Sequence, residues 1–167
     1  ILAKMRGQPD PQVVVIGVLP LYHIYGITSV INVSIYLGCT IELLPHFDPE
    51  KVIDIAQSEK QTILFGVPTM YNRLIQAASQ NLPQNSSLKF CVSGGSSLPV
   101  EFLHRFEKLF STKIFEGYGL TEAPVCVENP YGGVTKPGSI GLPIPEFSAK
   151  IIDNDGHEVA PGGNGEL

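Results

Sequence analysis

The chain predicts an α/β fold: a parallel sheet with flanking helices, followed by the start of a small β-barrel subdomain. Three observations carry this expectation. Strand-like and helix-like segments alternate about five times, the pattern of a parallel sheet joined by right-handed crossovers. The run "VVVIGVL", Val13 to Leu19, is unbroken, apolar and rich in β-branched residues, as a strand buried on both faces requires. Past Glu122 the helical periodicity stops, and Gly and Pro recur in "NPYGGVTKPGSIGLPIPE".

The elements follow in order. Pro20 ends the first strand, and Ile24 to Leu37, apolar with small residues, predicts a buried helix despite its β-branched content. "CTIELL" reads as the second strand. In "HFDPEKVIDIAQSEK", Asp48 can cap a helix, Pro49 suits its first position, and Val52, Ile53 and Ala56 share one face. "TILFG" is a short strand, and "VPTMYNRLIQAAS" is a helix with an apolar stripe of Val67, Met70, Tyr71, Leu74, Ile75 and Ala78. "NLPQNSS" is loop by composition. "LKFCVSGG" is a strand, Pro99 marks a helix start with Phe102, Leu103, Phe106, Leu109 and Phe110 on one face, and "KIFEG" is the next strand. "SAKIIDNDGHEV" reads as strand, Asn-Asp-Gly turn and strand. The change of character places a boundary near residue 134, with an α/β subdomain over 1–133 and the beginning of a β-barrel subdomain over 134–167.

Composition narrows the function. With 167 residues, 43% of them apolar, the chain fits one domain with a real core. A formal charge of −5 offers no basic field for a phosphate backbone, so no nucleic-acid partner is expected and small molecules fit better. Cys39, Cys91 and Cys126 are odd in number, widely spaced and set in apolar runs, which reads as buried thiols of a reducing, cytoplasmic compartment. No stretch reaches membrane-span length, since "SVINVSIYLGC" is short and broken by Asn32, Ser34 and Gly38. No basic amphipathic helix argues for a membrane surface either, although peripheral contact is left open. "ILAKMRGQ" lacks both an initiating methionine and a signal layout, and "GGNGEL" stops where an apolar run begins, so the chain reads as an internal piece of a longer protein.

In a parallel α/β sheet, ligands gather beyond the carboxyl ends of the strands, and three unusual turns sit there. In "LPLYHIYG" Tyr22, His23 and Tyr25 follow a strand directly; the alternative is a core histidine among packed aromatics. In "SGGSSLP" Ser93 closes a strand, Gly94 and Gly95 allow close approach, and Ser96 and Ser97 lead a helix; the alternative is a tight turn with a capping serine. The turn is neither a Gly-x-Ser-x-Gly elbow nor a Walker loop, and the first strand is not followed by Gly-x-Gly-x-x-Gly. In "EGYGLTEAP" the Tyr118 ring can stack on a base and Gly117 and Gly119 clear its approach. Thr121 brings a hydroxyl for phosphate, and Glu122 a hard oxygen for Mg²⁺. The alternative is a glycine-rich turn with an exposed acid.

Taken together, Tyr118-Gly119-Leu120-Thr121-Glu122, Ser93-Gly94-Gly95 and "PLYHIYG", with "KPGSIGLPIP" and the final "GEL" in matching order, resemble the adenylate-forming superfamily. That family holds acyl-CoA synthetases, firefly luciferase and nonribosomal peptide adenylation domains. The resemblance spans nearly the whole chain. It implies that a carboxylate attacks the α-phosphate of ATP, giving an acyl adenylate and pyrophosphate, and that coenzyme A then takes the acyl group. It implies catalytic roles for His23, Thr121 and Glu122, with Glu122 the magnesium ligand. Ser93, Gly94, Gly95, Ser96, Glu116, Gly117, Tyr118, Gly119 and Thr121 would line the nucleotide, and Lys136 to Gly138 would border it. The "PLYHIYG" form is closer to acyl-CoA synthetases of the fatty-acyl and coumarate type than to amino-acid-activating domains. An acyl pocket along Tyr22 to Ile31, Gly66 to Thr69 and Ser93 to Ser96 suits a medium or long fatty acid. A 4-coumarate-CoA ligase, a luciferase-like enzyme and a nucleotide-binding module without chemistry stay open as alternatives. The family's phosphate loop with its lysine is expected before Ile1, and its ribose-binding aspartate and lysine-bearing domain after Leu167. The resemblance therefore implies that the piece alone binds adenylate weakly and turns nothing over.

Overall fold

The computed structural model describes residues 12–58, 60–80, 83 and 85–167. Five strands, β1 (Val14–Gly17), β2 (Thr40–Leu43), β3 (Thr62–Gly66), β4 (Leu88–Ser93) and β5 (Ile114–Tyr118), run parallel. Two short antiparallel strands, β6 (Val127–Glu128) and β7 (Leu142–Pro143), extend the same sheet to the order β2-β1-β3-β4-β5-β6-β7. The parallel sheet read from the alternation is thus present, and every expected strand from "VVVIGVL" to "KIFEG" forms. The loop expected at "NLPQNSS" lies partly, and "ILAKMRGQ" wholly, outside the described residues.

Two apolar layers cover the sheet. On one face lie α2 (Pro49–Ala56), α3 (Pro68–Gln80) and α4 (Val100–Phe110), which bury Val52, Ile53, Tyr71, Leu74, Ile75, Leu103 and Phe106 against Ile16, Leu64 and Cys91. On the other lies α1, π-helical over Gly26–Asn32 and α-helical over Val33–Leu37, which sets Val30 and Val33 on Val13, Val15, Ile63 and Phe65. The split follows from chain direction: β1 to β2 steps one way along the sheet, every later crossover steps the other, and right-handed connections then need opposite faces.

Local chemistry sets the helix ends. Asp48 is extended at φ −126° and its carboxylate accepts from Glu50 N at 3.1 Å and Lys51 N at 3.4 Å, with Pro49 in the first helical position. A cap of this kind contributes about 1 kcal/mol. Gly38, left-handed at φ 64°, stops α1. The expectation of a buried helix over Ile24 to Leu37 needs correction. Val30, Ser34 and Leu37 are buried, but Ile35 is 72% and Tyr36 59% exposed, because α1 meets the sheet along one side only. Its β-branched run also winds π-helically where a regular α-helix was expected.

Two further expectations change. The segment "SAKIIDNDGHEV" does turn at Asn154-Asp155-Gly156, with Gly156 at φ 80°, but only isolated bridges from Ile152 to Glu158 and Glu166 form beside it. Cys91 is buried among apolar side chains, whereas Cys39 and Cys126 are only partly so; none of the three forms a disulfide.

Within the core Tyr71 stands against Phe106, edge to face at 5.1 Å, and Phe106 stacks on Phe110 at 4.4 Å. The Tyr71 hydroxyl, fully buried, donates to the Val92 carbonyl at 2.8 Å with the Leu64 carbonyl 3.2 Å away. Tyr71→Phe should therefore destabilise the full-length protein by about 1 to 2 kcal/mol, and Tyr71→Ala by about 3 to 5 kcal/mol. Denaturant unfolding measures both, and equal losses would show that the ring contributes nothing beyond the hydroxyl.

Candidate functional site

The chain reverses its direction of travel across the sheet at β1, between β2 and β3, so a crevice opens at the carboxyl ends of these strands. The loop that leaves β1 is "PLYHIYG", which places His23 and Tyr25 at the rim. A cavity of about 610 Å³ lies beside it, lined by Leu19, Tyr22, Leu44, Phe47 and Met70 among others.

Tyr25 ties this loop to the centre of the sheet. Its hydroxyl donates to the Val92 carbonyl at 3.0 Å, with the Gly66 carbonyl at 3.4 Å, and its ring lies over Gly94, where an added Cβ would stand 3.2 Å from the ring. Burial first, and the Glu128 carboxylate second, push this hydroxyl well above the usual tyrosine range, so it stays a donor. His23 is exposed beside it and accepts the Tyr25 backbone N–H at Nδ1, 3.1 Å, so the neutral ring carries its proton on Nε2.

The "SGGSS" turn stands next to it. Gly94 is buried under Tyr25, while Gly95, at φ 80°, Ser96 and Ser97 are exposed at the rim. Ser96 and Ser97 do not cap α4, which begins at Val100 after Pro99 with no side-chain cap. Ser93 is buried and its hydroxyl has no hydrogen-bond partner among the described residues.

Glu116 points away from the rim into the interior. Its carboxylate accepts from Leu98 N at 3.2 Å and Gly138 N at 3.3 Å, so it bolts the start of α4 and the "KPGS" turn to β5. Asn129 completes this brace: its backbone N–H and its side-chain amide both donate to the Glu116 carbonyl, and the amide also reaches the Ser139 carbonyl. Lys136 lines a smaller cavity of about 250 Å³ on the outer side of this brace, with His104, Glu107 and Lys113.

The "GYGLTEAP" turn closes on itself through Leu120 and Ala123, whose N–H groups and carbonyls pair at 2.8 and 3.3 Å. Gly119 must be glycine, since a Cβ there would run into the Pro124 carbonyl. Tyr118 is half-buried, and Thr121 and Glu122 stand exposed at the tip. The structure thus brings Gly94, Gly95, Ser96, Tyr118, Thr121, Glu122 and His23 to one end of the sheet, while Glu116 serves as interior support. Among the described residues, the only three-residue group of potential metal ligands, Asp153, Asp155 and His157, lies elsewhere on an exposed turn.

Sequence reasoning passed over Glu128. It pairs with Gly117 across β5 and β6, half-buried, and burial pushes its carboxyl above the usual range. The signal was available, since it is an acid inside the apolar run "VCVEN". The folded chain holds this proton more tightly than the unfolded chain, so stability falls as pH rises from the unfolded carboxylate value through the folded one. Glu128→Gln should remove that loss. The thermal midpoint of the full-length variant should gain on the parent more at pH 8 than at pH 4, and an equal offset at both would contradict the assignment.

Comparison with known proteins agrees with this geometry. A model of the AMP-binding enzyme family matches residues 2–167. The chain is 43% identical over 155 residues to a long-chain-fatty-acid–CoA ligase of Bacillus subtilis, covering 92% of this chain and 28% of that protein. It is 32% identical over 155 residues to a malonate–CoA ligase of Arabidopsis thaliana, covering 82% and 26%. Among solved structures, ATP-bound MatB from Rhodopseudomonas palustris superposes with a TM-score of 0.85 at 32% identity, over 97% of this chain and 32% of that one. The chain therefore spans about 28% of the length of the first of these relatives. With the motif order, the parallel sheet and the rim of strand-end turns all in agreement, the chain belongs to the AMP-binding enzyme family.

Proposed function

We propose that the chain is the central part of an ATP-dependent acyl-CoA synthetase, which activates a carboxylic acid as its adenylate and passes the acyl group to coenzyme A. The observation that carries this reading is the joining of three strand tips into one rim, through Tyr25 on one side and Glu116 on the other. In-line attack on a phosphate needs little covalent help from a protein and much positioning, which a braced rim supplies.

Within the rim, Tyr118 offers a ring to the adenine, Gly95 and Ser96 border it, and the Thr121 hydroxyl faces the α-phosphate. The carboxylate of Glu122 is exposed and not spent on a buried hydrogen bond, unlike that of Glu116, so its chemistry suits Mg²⁺. When bound, the ion neutralises charge on the phosphate oxygens. His23, with Nδ1 occupied, offers Nε2–H to the carboxylate or phosphate. The acid we infer is a medium- or long-chain fatty acid, in line with the name of the Bacillus subtilis relative. Its chain would lie along Tyr22 to Ile31 and Gly66 to Thr69, in an enzyme of the cytoplasm with room for peripheral membrane contact. Among the described residues no helix is long and apolar enough to cross a membrane. The division into 1–133 and 134–167 belongs to the same proposal.

Glu122→Gln in the full-length protein should lower acid-dependent turnover by on the order of 100-fold, equivalent to about 2.7 kcal/mol, while the fold stays intact. Steady-state kinetics with a circular-dichroism control measures this. Unchanged turnover would show that Glu122 is not the catalytic magnesium ligand, and a folded parent that binds nucleotide with no turnover would favour a module without chemistry. A panel of alkanoates and hydroxycinnamates tests the acid, and preference for a hydroxycinnamate over every alkanoate would move the reading to the coumarate type. The isolated chain should show no carboxylate-dependent pyrophosphate exchange, and robust exchange would contradict the proposed division of labour.

A further inference from the structure

We propose that Tyr25 is a positioning residue of the adenylation step: its hydroxyl clamps the loop after β1 onto the tip of β4, and its backbone N–H, held still by that clamp, fixes the ring of His23. The inference rests on the ligase reading and on the part His23 plays in it.

The loop leaves the sheet at Pro20, and Leu21, Tyr22 and His23 all stand exposed. Among the described residues the His23 ring makes one hydrogen bond, from Nδ1 to the Tyr25 N–H at 3.1 Å. An exposed imidazole held at one atom keeps its direction only as well as that donor keeps its own. Local bonds shape the turn around it. The His23 N–H donates to the Pro20 carbonyl at 3.1 Å, the His23 carbonyl accepts the Ile27 N–H at 3.0 Å, and Gly26 packs so close to the Pro20 carbonyl that a Cβ would run into it. None of these bonds ties the turn to a neighbouring strand.

Tyr25 supplies that tie. Its hydroxyl crosses to the Val92 carbonyl at 3.0 Å, while the Gly66 carbonyl, 3.4 Å away, already accepts the Gly94 N–H at 3.2 Å. One residue thus reaches the tips of β3 and β4 with its side chain and His23 with its backbone. Val92 stands directly before the "SGGSS" turn, so the clamp also sets His23 relative to the turn that borders the proposed nucleotide. In-line attack depends on donors held within a fraction of an ångström, and small misplacements cost rate rather than binding. Filling space does not account for the hydroxyl, since phenylalanine would lay the same ring over Gly94. Tyr71 provides the contrast. Its hydroxyl donates to the same Val92 carbonyl from the opposite face, yet it bonds to no residue of the loop.

The test measures acid-dependent ATP–pyrophosphate exchange by the full-length enzyme, using the best acid of the alkanoate and hydroxycinnamate panel. Each variant is assayed at a temperature where circular dichroism shows it folded. Tyr25→Phe should lower kcat about tenfold and leave KM for ATP within about twofold, whereas Tyr71→Phe should leave kcat within about twofold. In a His23→Ala background, Tyr25→Phe should produce no further fall, because nothing remains to be positioned. Equal kcat values for Tyr25→Phe and Tyr71→Phe would reduce the clamp to a structural bond and overturn the proposal. So would the same fold loss with and without His23, or a His23→Ala enzyme as fast as the parent. In each of these cases the ligase reading stands, since the parent's exchange is measured. A folded parent that exchanges with no acid overturns both together.

Discussion

The carbonyl of Val92 receives two tyrosine hydroxyls, Tyr71 at 2.8 Å from one face of the sheet and Tyr25 at 3.0 Å from the other. A carbonyl oxygen has two lone pairs, and a strand end that is leaving its ladder has one or both to spare. Two buried aromatic donors converging on one acceptor fix β3 and β4 at the point where the crevice opens. The geometry also dictates residues at a distance. The Tyr71 ring passes 3.3 Å from the Cβ position of Gly66, and the Tyr25 ring 3.2 Å from that of Gly94, so both strand tips must be bare. Burial keeps both hydroxyls protonated, so the pin holds across the pH range in which the protein is folded.

A second constraint works on the other half of the rim. Glu116 and Glu122 are six residues apart in one strand and turn, yet burial gives them opposite duties. The first sits in the interior and satisfies two backbone N–H groups, one from each of two separate loops. An uncompensated buried carboxylate would be costly, and these two donors stabilise it while joining the "SGGSS" and "KPGS" turns. The second is exposed at a tip that closes only on its own backbone. The rim is therefore rigid below and chemically open above, the division that positioning of a reactive pair requires.

Much of this was legible because it is local. Strand runs, the Asp48 cap and the stripes of α2, α3 and α4 depend on neighbours within a turn or two, so periodicity and capping chemistry found them. The exposure of one side of α1 was not legible, because its outward Ile35 and Tyr36 look in sequence like the inward Val30. The roles of Glu116 and Glu128 were missed for a different reason. Whether a carboxylate on a strand faces the core, a ligand or water depends on what the antiparallel β6 brings opposite it, a pairing made across the loop of residues 119–126. Motif resemblance placed Glu116 at the nucleotide, whereas side-chain alternation turns it inward.

Alternation on β5 also explains how one strand tip can serve two compartments. Glu116 and Tyr118 project to one face, Phe115 and Gly117 to the other, and β6 repeats the division with Val127 and Glu128. On the ligase reading, the base is held on the Tyr118 side and the acyl chain on the Gly117 side, with the backbone itself as the partition. Two substrates bound on opposite faces of a sheet can meet only past its end, where the partition stops. On the same reading, the tight Thr121–Glu122 turn at that end keeps the proposed hydroxyl and acid close to the strand. Shifting the register of β5 against β6 by one residue would exchange the compartments and leave the turn serving neither.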